Sequence, residues 1–217
     1  MINQEFDHII SLGSFCQTAY QIRRYFGCEK AHTFDWWVTP TVGLVELIES
    51  QFIDLFVESN MTIVEEEAGA AVMCARYGLM HYHDFDNSKI AGRPAPFLVR
   101  AECKNNISKF SYLVKRLLSI NGKVLFIRMG TGYVQHYEKN MDFNEDLLKR
   151  FIIAMERMLP NIEFQILLLN STPIEIDKRV TFDTVNNYDV TLWNGSDQGW
   201  GEMFSRQQIR LGNLQII

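Results

Sequence analysis

The spacing of the hydrophobic residues changes within residues 8–26, and that change restricts what the chain can build. His8-Ile9-Ile10-Ser11-Leu12-Gly13 is a short apolar run that ends at a glycine, the pattern of a buried strand. Between Phe15 and Phe26 the apolar positions Ala19, Ile22, Tyr25 and Phe26 recur at helical spacing. Gly27 can end that helix, because glycine tolerates the left-handed C-terminal conformation. Ser14 is placed to cap its start, with a hydroxyl that can accept from the first-turn amides. A buried strand that runs directly into a helix opens a parallel α/β unit. The turn Ser11-Leu12-Gly13-Ser14-Phe15-Cys16 then lies at the carboxyl end of that strand, where open parallel sheets bind their ligands.

Further along, residues 41–52 read as a second amphipathic helix, entered after Thr39-Pro40. Residues 61–85 change character. Met61-Thr62-Ile63-Val64, an acidic Glu65-Glu66-Glu67 turn and Ala71-Val72-Met73-Cys74 read as a hairpin, and residues 86–97 as a loop. A helix over 104–120 follows, then a strand at 123–129, a helix at 144–159 stopped by Pro160, strands at 164–170 and 180–185, and a helix at 200–211. Strands separated by helices of this length need right-handed crossovers. The expectation is one α/β domain over residues 1–217, a three-layer, doubly wound, mostly parallel sheet with a small hairpin insertion around 61–85.

Hydrophobic residues make up 47% of the chain, enough for a sizeable core and against bulk disorder. The net charge of −5, with no basic stripe, excludes a general nucleic-acid binder. Residues 1–7 lack the flank and apolar run of a secretion signal, and no run nears the ~20 apolar residues of a membrane span; a cytoplasmic protein is expected. Cys16, Cys28, Cys74 and Cys103 are irregularly spaced, without a Cys-x-x-Cys pair, so neither a disulfide framework nor a metal site is expected. No cofactor motif is present, since Gly130-Thr131-Gly132 is too short for a phosphate fingerprint. The sequence carries no signal of oligomeric state.

Cys16 falls in the first turn of the first helix. Free amides and the helix dipole favour an anion there, so its thiol pKa is expected to fall, and the same amides can hold an oxyanion. The bland alternative is a small buried hydrophobe. A thiolate nucleophile needs a base, and the base needs an orienting group. His8 opens a strand and His136 sits in a loop. His81 and His83 occupy His81-Tyr82-His83-Asp84-Phe85, where strand alternation would put both on one face; His83 is the preferred base, with Asp84 and Asp86 near in sequence. A metal site built on the two histidines lacks further ligands. Asp35, between Phe34 and Trp36-Trp37, reads as a partly buried carboxylate that either orients His83 or caps a helix. Arg128 ends an apolar strand, where it can hold a carboxylate or phosphate or simply terminate the strand. Residues 193–200, rich in glycine and tryptophan, read as a lid, a ring-stacking wall or an ordinary loop.

Taken together, Ser11-Leu12-Gly13-Ser14-Phe15-Cys16, Phe34-Asp35-Trp36, His83-Asp84-Phe85 and Val124-Leu125-Phe126-Ile127-Arg128 resemble the bacterial family described as putative papain-like cysteine peptidases. The resemblance implies a catalytic thiol at Cys16, a partner at His83 and a third member at Asp35 or Asp84. From their places around the turn and the strand end, Ser14, Phe15, Gln17, Trp36 and Arg128 are expected to bind the substrate. Papain-like enzymes carry the cysteine on a helix and the histidine on an antiparallel sheet, whereas this cysteine follows a strand expected to be parallel. The leading expectation is a cysteine hydrolase or acyltransferase acting on a small-molecule, peptide or glycan substrate. Two alternatives stand beside it: a glycan- or nucleotide-sugar-binding transferase or binding module that uses residues 14–16 and Arg128 as an anion cradle, and a non-enzymatic interaction protein.

Overall fold

The computed structural model describes residues 1–66, 69–130, 140–188 and 193–212; His136, Glu67 and the Thr131-Gly132 pair lie outside the described residues. The chain begins with β1 (Gln4–Phe6) and β2 (His8–Ser11), followed by α1 (Cys16–Phe26), β3 (Trp37–Val38) and α2 (Thr41–Glu49). Then come β4 (Met61–Glu66), β5 (Gly69–Cys74), β6 (Leu79–His81), a short hairpin of β7 (Lys89–Ile90) and β8 (Arg93–Pro94), and α3 (Pro96–Leu118). The last part is β9 (Gly122–Met129), α4 (Glu145–Met158), β10 (Ile162–Leu169), β11 (Val180–Asp183), α5 (Asp197–Gln207) and β12 (Ile209–Leu211).

The fold is mixed α/β. One sheet is wholly parallel, in the order β11-β10-β9-β2, and β1 pairs in parallel with β12. Side chains along a strand alternate between faces, and β9 feeds two separate cores accordingly. Val124 and Phe126 pack with Leu44 and Val45 of α2 and Leu148 and Phe151 of α4. Leu125, Ile127 and Met129 pack with Ile22 of α1 and Trp200, Met203 and Phe204 of α5. The helices start where their caps dictate. Asn144 accepts the Leu147 amide at 2.8 Å ahead of α4, Ser196 accepts the Gly199 amide at 3.1 Å ahead of α5, and α3 opens on Pro96.

The insertion between β2 and β9 is larger than the sequence pattern predicts. The expected hairpin is β4 and β5, but β6 and β3 join it in an antiparallel sheet ordered β3-β6-β5-β4. The second residue run to change is the C-terminus: the helix expected at 200–211 starts at Asp197 and stops at Gln207, whose successor Gln208 turns left-handed (φ 52°) and releases the chain into β12. The expected loop at 86–97 likewise gives way to β7, β8 and the start of α3, eight residues ahead of position 104.

Arg128 corrects a second expectation. It does not face a ligand; it is fully buried beneath the strand ends. Its Nη1 donates to the Leu12 carbonyl at 3.0 Å, Nη2 to the Thr39 carbonyl at 2.7 Å and the Thr41 hydroxyl at 3.1 Å, and Nε to the Met141 carbonyl at 3.2 Å. Burial lowers its pKa to about 9. The guanidinium ties the turn after β2, the segment leading into α2 and the segment leading into α4 to the end of β9. Arg128→Met keeps the volume but leaves three buried carbonyls short of donors, so it should cost about 3 kcal/mol or more in urea unfolding. A loss below about 1 kcal/mol would show that the clamp is dispensable.

Candidate active site

The turn after β2 is shaped by contacts on every side. Gly13 takes a left-handed backbone (φ 63°), and a Cβ there would meet the Phe34 carbonyl oxygen at 2.6 Å, so only glycine fits. Its carbonyl accepts the Thr39 amide at 2.9 Å. Ser14 is not the cap of α1. Its buried hydroxyl accepts the Met129 amide at 3.0 Å, fastening the turn to the end of β9, while Phe15 holds the N-cap position with no side-chain capping bond. Phe15 is half-buried and packs against both the α1–α5 core and the Val38–Met80 cluster. Cys16 is therefore the first residue of α1, half-buried, and Gln17 behind it is buried.

The thiol behaves opposite to expectation. Burial pushes the Cys16 pKa up to about 12; its own backbone amide pulls down, and the negative charges of Asp84 and Asp35 add to the rise. From the ordinary value of 9.0, that is about three pKa units, or roughly 4 kcal/mol. A helix N-terminus offers about 0.3–1 kcal/mol to an anion and at most ~2 kcal/mol. Desolvation wins, and the thiol is neutral at rest.

Asp35 is turned toward α1. Its carboxylate accepts Arg23 Nη2 at 2.5 Å and the His32 amide at 2.7 Å. Burial raises its pKa, opposed by the His32 amide and the Arg23 charge. The Arg23 guanidinium also lies over the Trp36 ring, 5.2 Å from its centroid. Trp36 is half-buried and meets the His83 ring edge to face at 5.6 Å.

The histidines separate because β6 ends at His81. His81 is buried and His83, in the bend beyond it, is exposed, so they do not share a face. The chain turns under the strand end and brings Asp84 back to His81, whose Nδ1 lies 2.9 Å from Asp84 Oδ2. That nitrogen must carry the proton to face a carboxylate. Asp84 also accepts Trp37 Nε1 at 2.9 Å and Lys109 Nζ at 3.0 Å, and Asn106 holds its carbonyl at 2.9 Å. Burial alone would raise the Asp84 pKa; the hydrogen bonds and charges of His81 and Lys109 outweigh it and bring the pKa to about 2. The His81 ring is enclosed by Trp37, Phe56 and Phe85.

Among the described residues no hydrogen bond joins Cys16 to either histidine, yet the fields of Asp35 and Asp84 both reach the thiol. Arg23, Asn106 and Lys109 are members of the neighbourhood that sequence reasoning passed over. Arg23 alone had a signal, seven residues beyond Cys16 and hence on the same face of α1. Among the described residues no cluster of His, Cys, Asp and Glu is suited to a metal, and no helix is long and apolar enough to cross a membrane. A cavity of about 620 Å³ lined by Gln4, Glu163 and Arg179 lies at the starts of the strands, away from Cys16.

The family model described as "Putative papain-like cysteine peptidase" matches residues 7–173, and the chain belongs to that family. The match takes in Cys16, Asp35, His83, Asp84 and Arg128 together. No curated protein and no solved structure matches the chain.

Two pH dependences follow. A neutral resting thiol should be alkylated by iodoacetamide roughly a hundredfold or more slower than a model thiol of pKa ~8.5 near neutrality, with a rate still rising as pH approaches 12. A rate plateau at or below about pH 9 would contradict it. Because the folded state raises this pKa, the thiol's contribution to stability is complete below the unfolded value and declines as pH rises through it. Asp84 has the opposite sign: its pKa is depressed, so its contribution is present above about 4 and lost as pH falls toward 2. Asp84→Asn should flatten the acid limb of a urea-midpoint-against-pH curve; an unchanged limb would mean that Asp84 does not carry it.

Proposed function

We propose that the protein is a cysteine-dependent hydrolase of acyl or peptide bonds, with Cys16 as nucleophile and His83 as its proton acceptor. The observation that supports this reading is that the charges of Asp35 and Asp84, from two separate segments, both reach the Cys16 thiol. The position of the thiol supports it as well, at the carboxyl end of a parallel strand and the first turn of a helix.

A thiol held neutral cannot attack as a preformed thiolate. The proton must leave as the Sγ–C bond forms, so a base is obligatory. His83 suits that role better than His81: it is exposed and carried beside Trp36, whereas the His81 ring is buried with Nδ1 committed to Asp84. As Sγ bonds to the carbonyl carbon, the electron pair of C=O moves to oxygen, where the first-turn amides of α1 can receive it. Collapse expels the amine or alcohol with the proton from His83, and water, deprotonated by the same ring, then cleaves the thioester. Asp84 contributes as a positioning residue, since its four contacts fix the bend that projects His83. Asp35 does the same for Trp36 through Arg23. The two packing clusters of the parallel sheet support a doubly wound, three-layer core as the frame for this edge.

The test is turnover of p-nitrophenyl acetate followed by intact-mass detection of the acyl-enzyme. Acetylation should map to Cys16, Cys16→Ala should abolish it, and His83→Gln should slow the acylation by about 100-fold or more while the protein stays folded. Full esterase activity in Cys16→Ala would end the proposal, and an unimpaired His83→Gln would remove that residue from it.

A further inference from the structure

Two aromatic side chains outside the motifs pair on α1, one of them, Tyr20, a single turn beyond the proposed nucleophile. Trp193 is 64% exposed, yet its segment is not loose: Gln21 Nε2 donates to the Asn194 carbonyl at 2.7 Å and to Asp197 Oδ1 at 2.9 Å, and Arg24 Nη2 donates to the Asp197 carbonyl at 2.9 Å. These bonds lay residues 193–197 along α1. The Trp193 ring is thereby set edge to face against Tyr20, centroids 5.4 Å apart. Helix geometry puts Cys16, Tyr20 and Arg23 within about 60° of arc, with Tyr20 about 6 Å along the axis from Cys16. Tyr20, Arg24 and Gln21 lie to one side of the Cys16 line, toward Trp193; Arg23 lies to the other, against Trp36, whose ring in turn meets His83.

Resting on the hydrolase reading above, we propose that Trp193 and Tyr20 form the specificity platform for the substrate, a peptide with an aromatic side chain within two residues of the scissile carbonyl. An extended peptide advances about 3.3 Å per residue, so the second residue from the carbonyl at Cys16 comes level with Tyr20. The exposed indole edge and face then take the incoming ring in the offset or edge-on geometry that aromatic pairs adopt. The pinned segment means that little side-chain freedom is lost on binding.

Two measurements on the full chain test this. In the first, Cys16 labelling by N-benzyl-2-iodoacetamide is compared with labelling by iodoacetamide at alkaline pH. The benzyl reagent should be favoured by about three- to tenfold, the range of one aromatic pair; Trp193→Ala should abolish the preference, and Trp193→Phe should retain most of it. Equal labelling by both reagents in the unaltered protein overturns the platform but leaves the nucleophile standing. Failure of either reagent to reach Cys16 overturns the hydrolase reading instead. The second measurement is independent of the thiol: in Cys16→Ser protein, N-acetylphenylalaninamide should shift the Trp193 indole N–H resonance saturably. No shift, or a shift with a methyl pyranoside in place of the amide, overturns the peptide platform.

Discussion

The Arg128 guanidinium is the contact on which the rest of the site depends. A charge inside a parallel sheet is costly unless its donors find acceptors, and here backbone carbonyls from three separate segments and the Thr41 hydroxyl accept them, rather than a carboxylate at hydrogen-bond range. Those carbonyls belong to the turn that carries Cys16, the segment between Trp37 and α2, and the segment ahead of α4. One side chain thereby sets the distance between the parallel sheet, which supplies the cysteine, and the antiparallel sheet, whose β3 strand pairs with β6 and so places the histidines. The Ser14 hydroxyl on the Met129 amide and the Gly13 carbonyl on the Thr39 amide repeat the same linkage with neutral groups.

Much of this was legible in the sequence. The parallel strands β2, β9, β10 and β11 and the helices α1, α2 and α4 follow from period and caps, because each buries a continuous apolar face against its neighbours. The antiparallel sheet was only half visible. Its strand β3 has two residues, Trp37 and Val38, too short for any period, and its pairing with His81 and Met80 is a tertiary event. The same limit explains Arg128. A cation in an apolar strand announces burial, but whether it meets a ligand or carbonyls depends on where Thr39 and Met141 fall, and they are 89 and 13 residues away in the chain.

His81 and His83 show a subtler failure. Alternation through residues 81–85 assumes that the strand continues. It stops at His81, and a turn replaces the two-residue repeat with a three-residue return that pairs His81 with Asp84. Within His83-Asp84-Phe85 the residues part company: Asp84 and Phe85 face inward to hold His81, and His83 faces out. Asp35 follows the same logic, an acid among aromatics that secures Arg23 and, through it, the Trp36 ring.

The layout also resolves an apparent conflict between the family description and the fold. A papain-like arrangement needs a cysteine at the head of a helix and a histidine delivered by an antiparallel sheet. Here α1 does follow a parallel strand, but β6 is antiparallel, and His83 lies two residues past its end. The insertion between β2 and β9 supplies that second, antiparallel sheet. The neutral Cys16 thiol then has a physical rationale. Burial is its main cause, and the buried carboxylates of Asp84 and Asp35, which hold the bend before His83 and Arg23 beneath Trp36, add to it by repelling a thiolate. A site built this way cannot store an activated anion. On the hydrolase mechanism proposed above, the charge forms only when a base accepts the proton and first-turn amides accept the oxyanion in the same event. Reactivity on that proposal is conditional on a substrate carbonyl that occupies the turn, and until then the neutral thiol, the form least prone to oxidation, stays in place.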